Sequence, residues 1–309
     1  MIEVENLTKY YGTKIALDKI SFTVRKGEVL GFLGPNGAGK STTMKIITCF
    51  LSATEGSVKV DGMDIFDDSL EVRKRIGYLP EIPPLYPDMT VKNYLEFAAK
   101  IKGVGKKALR ESVDTVVEKC GITNYYNSQC QALSKGYRQR VGLAQAMVHN
   151  PMVLILDEPT IGLDPIQIVE IRNLIKSFGG DHTVVLSTHI LPEVDMTCER
   201  VIIINDGKVV AEDTTKNLRS NLPQMEQLYV EVRGKSKTLQ TKLGKIKGIS
   251  SIKEDFGADS VVIYTIDVDS TVDARPEIAR TVMDENIELL QLKNIALSLE
   301  DIFIKVTMK

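Results

Sequence analysis

Apolar residues fall along this chain in three textures. Ile2 to Tyr10 and Ile15 to Val24 alternate in part between apolar and polar positions and predict two strands, turning at Tyr10-Tyr11-Gly12. Val29-Leu30-Gly31-Phe32-Leu33 and Met152-Val153-Leu154-Ile155-Leu156 are unbroken apolar runs, the pattern of strands buried on both faces, and Thr183 to Leu186 and Val201 to Ile204 predict two more. Glu55 to Gly62 predicts a turn, a short strand and another turn. Ile76 to Glu81 predicts a strand that stops at Pro80, which cannot donate to a sheet. From Pro83 to about Asn150 the period changes. Pro83, Pro84 and Pro87 mark an irregular loop, and Val91 to Lys102, Lys106 to Cys120 and Gln139 to His149 carry apolar residues at helical spacing. Ser41 to Phe50 predicts a helix; another starts at Asp164-Pro165, with an acceptor at the cap and proline in the first turn, and ends at Gly179-Gly180. Strands alternating with helices predict a mostly parallel, doubly wound α/β sheet with a helical insert at about 84–150.

After about Leu222 the texture shifts. Leu228 to Arg233, Ser250 to Phe256, Val261 to Val268 and Glu288 to Lys293 predict strands, with helices at Lys237 to Ile246 and Ala274 to Asn286. The order βαββαβ predicts a small ferredoxin-like α+β domain over 223–309, beside a first domain at 1–222. A last helix is expected from Ser298, with a capping box closing at Asp301 and Ile302, Phe303 and Val306 buried.

Composition narrows the function classes. Lys+Arg 39 against Asp+Glu 41 leaves a formal net charge of -2, which gives no reason to expect nucleic acid as a partner. No apolar run approaches the roughly 18 residues of a membrane span, and Met1-Ile2-Glu3-Val4-Glu5 lacks the regions of a signal peptide. Cys49, Cys120, Cys130 and Cys198 have no metal-ligand spacing, so reduced thiols in the cytoplasm are expected.

Chemistry centres on Gly34-Pro35-Asn36-Gly37-Ala38-Gly39-Lys40-Ser41, a complete G-x-x-x-x-G-K-S phosphate loop between a predicted strand and a predicted helix, followed by Thr42. Backbone N–H groups and the helix dipole suit phosphate. Lys40 reaches the β- and γ-phosphates of a nucleoside triphosphate in this motif, and the Ser41 hydroxyl ligates Mg²⁺. Val153 to Leu156 then delivers Asp157 and Glu158 to a strand end, where α/β sheets place their ligands. Asp157 is suited to hold Mg²⁺, and Glu158 to orient or deprotonate the attacking water. Two adjacent acids also occur at solvated turns; the phosphate loop upstream favours the catalytic reading.

Leu133-Ser134-Lys135-Gly136-Tyr137-Arg138-Gln139-Arg140, just ahead of the acidic strand, resembles the signature motif of the ATP-binding-cassette (ABC) ATPases, whose core reads Leu-Ser-Gly-Gly-Gln. Ser134 would cap a helix whose N–H groups face a γ-phosphate. Tyr11 matches the aromatic residue that stacks on adenine, Gly162-Leu163-Asp164 resembles the loop joining two nucleotide sites, and His189 in Ser187-Thr188-His189 matches the γ-phosphate histidine. The resemblance covers residues 1 to about 220. It implies a P-loop NTPase ABC nucleotide-binding domain with a RecA-like core, an antiparallel β subdomain and a helical subdomain, using ATP and Mg²⁺. It also implies a head-to-tail homodimer with two ATPs between the subunits. One subunit would supply Gly34 to Ser41, Asp157, Glu158 and His189; the other would supply Ser134 and Gly136, and Thr42, Lys135 and Asp164 are further candidates for nucleotide contact. The guanine-reading Asn/Thr-Lys-x-Asp pattern is absent, which favours ATP.

Three positions depart from the commonest consensus. Glu81 stands where a glutamine usually touches Mg²⁺ and the membrane partner; it can ligate the metal, but at ~6 Å and an effective dielectric of ~20 its charge acts on metal and phosphate with opposite signs, about 3 kcal/mol each. Lys135 and Tyr137 replace a glycine and the glutamine of the signature, and Lys135 either brings a cation towards the opposing γ-phosphate or sits in water. With Leu79-Pro80-Glu81 and the ending Leu299-Glu300-Asp301-Ile302-Phe303, these features resemble ATP-binding subunits of ABC-2-type exporters, especially the gliding-motility-associated subgroup. The implied function is ATP-driven export through a separate polytopic permease, with the protein peripheral on the inner face of the plasma membrane. An importer ATPase with a ligand-sensing C-terminal domain, and an ATP-driven signalling module without transport, are the alternatives.

Overall fold

In the computed structural model, which describes residues 1–215, 217, 225–234, 238–256, 261–269 and 271–295, the first two strands are β1 (Ile2–Tyr11) and β2 (Lys14–Val24). They pair antiparallel, and the other edge of β1 pairs with β4 (Glu55–Val60), which carries the short β5 (Met63–Asp64). Alternation gives this sheet one apolar face, where Ile2, Val4, Leu17, Phe22, Val58 and Val60 join a common core.

The unbroken apolar runs make a second sheet. It contains β3 (Val29–Leu33), β6 (Ile76–Leu79), β7 (Val153–Asp157), β8 (Thr183–Thr188), β9 (Arg200–Asn205) and β10 (Lys208–Thr214), in the order β10-β9-β3-β8-β7-β6. All pairings are parallel except that of β10, an antiparallel edge. Every residue of β3, β7 and β8 is buried, as strands covered on both faces must be. Register sets the site: Leu33 pairs with Thr188 and Asp157 with Ser187, so Gly34, Glu158 and His189 leave the sheet along one edge.

The helices of this unit are α1 (Lys40–Ile47), α2 (Ser69–Arg75), α3 (Val91–Ile101), α4 (Leu109–Lys119), α5 (Lys135–Met147), α6 (Pro165–Lys176) and α7 (Leu191–Thr197). Three boundaries differ from the sequence expectation for local reasons. α1 ends before Phe50 because Cys49 turns to φ +58 and the Phe50 and Leu51 N–H groups both bond to Lys45 O. α4 begins at Leu109 rather than Lys106. α5 starts four residues ahead of Gln139, where the Ser134 hydroxyl caps it. The periodicity had not shown α2, α7 or β10.

The chain divides into two compact units, Met1–Thr215 and Lys216–Lys309. The second is built from β11 (Met225–Arg233), α8 (Leu239–Leu243), β12 (Ile249–Phe256), β13 (Val261–Asp269), α9 (Arg275–Asp284) and β14 (Glu288–Ile295). Its sheet runs β12-β13-β11-β14 with every pairing antiparallel. Leu228, Val230, Tyr264 and Ile266 from the sheet meet Leu243, Ile278 and Val282 from the helices in a core of its own. The helix expected from Ser298 lies outside the described residues.

One buried ion pair fastens the first unit. The Arg200 guanidinium donates to Glu28 Oε1 at 2.7 Å, Glu28 Oε2 at 3.0 Å and Thr23 O at 2.6 Å, and also meets Glu212. Glu28→Ala takes two charge-assisted hydrogen bonds from Arg200 but leaves it Glu212 and Thr23 O, so it is expected to cost about 2–4 kcal/mol, read as a lower urea midpoint at unchanged m-value. Burial pushes the Glu28 carboxyl up, but the Arg200 hydrogen bonds, the Arg25 N–H and both cations outweigh it and hold it below the usual carboxylate range. A lowered folded pKa stabilises fully above the unfolded value and is lost as pH falls through the folded one, so the gap between wild type and variant should close in acid.

Candidate functional site

The loop from β3 into α1 is shaped by three glycines. A Cβ at Gly34 would stand 2.4 Å from Ile204 O, and one at Gly39 would stand 2.6 Å from Leu17 Cδ2 and 2.8 Å from Ala16 O, with Gly39 at φ +109. Gly37 has open space but needs φ +84. Gly39 caps α1 without a side-chain hydrogen bond and the first turn has no acid, which leaves the helix N–H groups for an anion. Ala38 is buried and its N–H closes onto Pro35 O at 3.2 Å. The loop faces an open cavity of about 540 Å³ that Asn36, Gly37, Lys40, Ser41 and Thr42 line from one side, with Tyr11, Glu81 and Glu158 around it. The Tyr11 ring is 49% exposed, with the Lys9 ammonium 5.6 Å from its centroid.

Lys40 is itself buried. Its ammonium donates to Gly34 O at 2.8 Å and Pro35 O at 3.2 Å and pairs with Glu158 Oε1 at 3.2 Å. The other Glu158 oxygen, Oε2, lies 2.8 Å from His189 Nδ1. Glu158 stands at φ +48, and its N–H donates to both O and Oγ of Ser187, at 3.1 Å each. Asp157, only 2% exposed, accepts from Ser41 Oγ at 3.1 Å and from Ser187 Oγ at 2.5 Å.

This donor set fits Mg²⁺. Ser41 Oγ and Asp157 Oδ1 are hard oxygen ligands side by side, and among the described residues no group of three or more His, Cys, Asp or Glu residues could cage a metal. Mg²⁺ favours such a site, taking one or two protein oxygens and completing its shell with phosphate and water.

The signature stretch lies elsewhere. Ser134 Oγ accepts the Tyr137 N–H at 3.4 Å, capping α5, and Tyr137 packs on Tyr125 with ring centroids 4.0 Å apart. Lys135 Nζ lies against Gly162, where an added Cβ would come within 2.1 Å of it, and Gly136 lies against Gln167. Asp164 caps α6, accepting the Gln167 N–H at 2.9 Å. Ser134 and Lys135 line a second cavity, of about 590 Å³, with Ile82, Pro83 and Leu85; Glu81 borders both cavities. Within one chain, therefore, the phosphate loop, Asp157, Glu158 and His189 come together. Ser134, Lys135, Gly136 and Asp164 form a separate group.

Sequence reasoning gave no role to Ser187 beyond its place near His189, although it hydrogen-bonds both Asp157 and Glu158. Thr160, Thr188 and Glu193 were missed as well. They are buried polar residues, and burial is what the letters do not state.

The ABC transporter family profile matches residues 17–161. An uncharacterized ABC transporter ATP-binding protein of Bacillus subtilis, YhcH, is 34% identical over 312 residues, spanning 99% of this chain and 96% of its own length. The bacitracin transport ATP-binding protein BcrA of Bacillus licheniformis is 32% identical over 311 residues, spanning 99% of this chain and 97% of its own. Among solved structures, the dimeric post-hydrolysis state of the ATP-binding cassette MJ0796, bound to ADP and Pi, superposes with a TM-score of 0.64 at 30% identity; the match spans 69% of this chain and 98% of that one.

Proposed function

This chain belongs to the family of ABC transporter ATP-binding proteins, and from that premise we propose that it powers export through a separate polytopic permease of the ABC-2 type. It is an ATPase that binds ATP with Mg²⁺, as proteins of this family do. ATP-binding subunits of the family pair with membrane permease subunits and dimerise. The observation that carries the export reading is the end-to-end likeness to BcrA, a bacitracin transport protein, which takes in the second unit as well as the first. Glu81 and the Leu133 to Arg140 string, with Lys135 and Tyr137 at signature positions, support the gliding-motility-associated subgroup.

In this reading Tyr11 stacks on adenine, and Gly34 to Thr42 holds the phosphates. Ser41 and Asp157 would hold Mg²⁺, which when bound would offset charge on the phosphates, and Glu81 lines the same cavity as Ser41. Glu158 takes the proton of the attacking water, and His189, 2.8 Å from its carboxylate, orients that carboxylate and contacts the γ-phosphate. Ser134, Lys135, Gly136 and Asp164 face the nucleotide of a second copy in a head-to-tail dimer; their grouping away from the phosphate loop of their own chain supports this. ATP closes the pair and hydrolysis opens it, so the permease is driven by the difference in its contacts with the two states.

Among the exposed apolar side chains, Phe50 at 76% is available for contact with the permease. Phe50 lies on the rim of a mainly apolar cavity of about 450 Å³ with Pro80, Pro84 and Tyr78. No helix among the described residues is long and apolar enough to cross a membrane; in this reading the subunit docks on the inner face of the plasma membrane through the permease. We read Lys216–Lys309 as a ferredoxin-like accessory domain, and its strand order β12-β13-β11-β14 supports that.

The test is affinity purification of tagged Glu158→Gln protein from detergent-solubilised membranes in the presence of ATP. A polytopic permease is expected to come with it. A single-span partner would point to a signalling module instead. No membrane protein, under conditions where the ATP dimer forms, would overturn the transport reading.

A further inference from the structure

Glu158 and His189 sit on different loops, the first leaving β7 and the second leaving β8. Directly beneath them lies a carboxylate that belongs to neither. Thr160, two residues past Glu158, donates its hydroxyl to Glu193 Oε1; Thr188, one residue before His189, donates its hydroxyl to Glu193 Oε2 at 2.7 Å. Thr160, Thr188 and Glu193 are 2%, 0% and 1% exposed. The Thr188 oxygen also accepts the Ile190 N–H at 3.0 Å, and the Glu193 N–H bonds to Ile190 O at 3.2 Å, so the 188–190 turn is held from both ends.

Burying a carboxylate is costly unless both oxygens are satisfied, and a satisfied buried network rigidifies what it joins. What it joins here carries strain. Glu158 adopts φ +48 immediately before Pro159, a conformation unfavourable both for a residue with a side chain and for one preceding proline. Such a conformation persists only where its surroundings over-determine it. The Ser187 contacts fix the N–H side of Glu158; the Thr160–Glu193 contact fixes the chain two residues beyond. Neither threonine nor Glu193 lines the cavity at the phosphate loop.

We propose that Glu193 is a positioning residue for ATP hydrolysis, clamping the Glu158 loop to the His189 loop through Thr160 and Thr188. The clamp holds the base and the histidine at their 2.8 Å separation without touching nucleotide. This rests on the reading of Glu158 and His189 as the hydrolytic pair.

Its signature is a split between turnover and binding. The test is kcat, KM and ATP Kd measured on the full-length chain for wild type, Glu193→Ala, Glu193→Gln and Thr160→Val, with Glu158→Gln in parallel. A misplacement of the order of 1 Å at a reacting group costs up to ~10²-fold, so Glu193→Ala is expected to lower kcat about 10–100-fold, with KM and Kd within about twofold. Glu193→Gln preserves the shape and one acceptor and should recover part of the loss. Thr160→Val removes one donor at nearly constant volume and should give an intermediate kcat; it carries the test if Glu193→Ala does not fold. Variants that fold and turn over within about twofold of wild type overturn the clamp, as does a kcat that falls in step with ATP affinity and is not recovered by glutamine. Turnover that survives in Glu158→Gln overturns the assignment beneath it. Loss in Glu158→Gln with none in the Glu193 and Thr160 variants leaves that assignment standing and removes the clamp alone.

Discussion

Glu158→Gln is expected to lower steady-state ATP turnover by about 10²–10⁴-fold, the range a positioned general base contributes, while ATP binding tightens. Both halves come from the same carboxylate. Glutamine fills the same volume and keeps an acceptor for His189 Nδ1, 2.8 Å away, but it cannot take the proton of the attacking water. In wild type the other carboxylate oxygen is 3.2 Å from Lys40 Nζ, deep enough that neither group is well hydrated, so an arriving triphosphate must draw Lys40 from this partner. Neutralising Glu158 removes the competition. The ATP-bound dimer should therefore accumulate, visible as an ATP-dependent shift in size-exclusion elution, while phosphate release in a coupled assay stays near background. Turnover within about tenfold of wild type, or a monomer at saturating ATP, would sink the assignment.

Lys40→Ala should also abolish turnover, and for the opposite reason. Hydrogen bonds to charged groups are worth about 1.5–3 kcal/mol each, so losing the ammonium is expected to weaken ATP binding by about 10²-fold. The variant also leaves the buried Glu158 carboxylate without its cation, beside His189 Nδ1 at 2.8 Å. Titration with a fluorescent ATP analogue separates the two inactive proteins: Glu158→Gln should saturate at or below the wild-type concentration, Lys40→Ala far above it. Equal affinities would mean that Lys40 does not meet the phosphates.

Why the nucleotide site could be read from the letters, and its support could not, is a matter of what each kind of residue signals. Gly34 to Ser41 combine an unusual glycine spacing with a lysine and a hydroxyl, and the clashes a Cβ would meet at Gly34 and Gly39 give the physical reason glycine stands there. Val153 to Leu156 announce a strand because all four are apolar, and the structure buries each of them. β10 gives no such signal: as the antiparallel edge of the sheet it leaves three of its seven residues exposed, and Val209, Val210 and Ala211 stand among Lys208, Glu212 and Asp213 without a clear period. α7 was also hidden, being short and starting beside Pro192, although Pro192 and Glu193 in its first turn are ordinary start signals. Glu193 shows the limit most clearly. An acid in the first turn of a helix reads as a dipole complement on the surface, and only the packing of Thr160 and Thr188 against it shows that it faces inward.

The place of β3 in its sheet bears on how the protein comes to exist. Its register partners are β8 and β9, so the strand that leads into the phosphate loop is made long before either of its neighbours. The Arg200–Glu28 pair spans 172 residues of chain. At roughly 5–20 residues per second, a ribosome needs about 10–35 s between Glu28 and Arg200. Until β8 is made, late in that interval, Val29 to Leu33, with no polar side chain among them, have no strand on either side. An apolar strand left unpaired for that long is open to misassociation, and nucleotide can stabilise the nascent first unit only after the synthesis of β9.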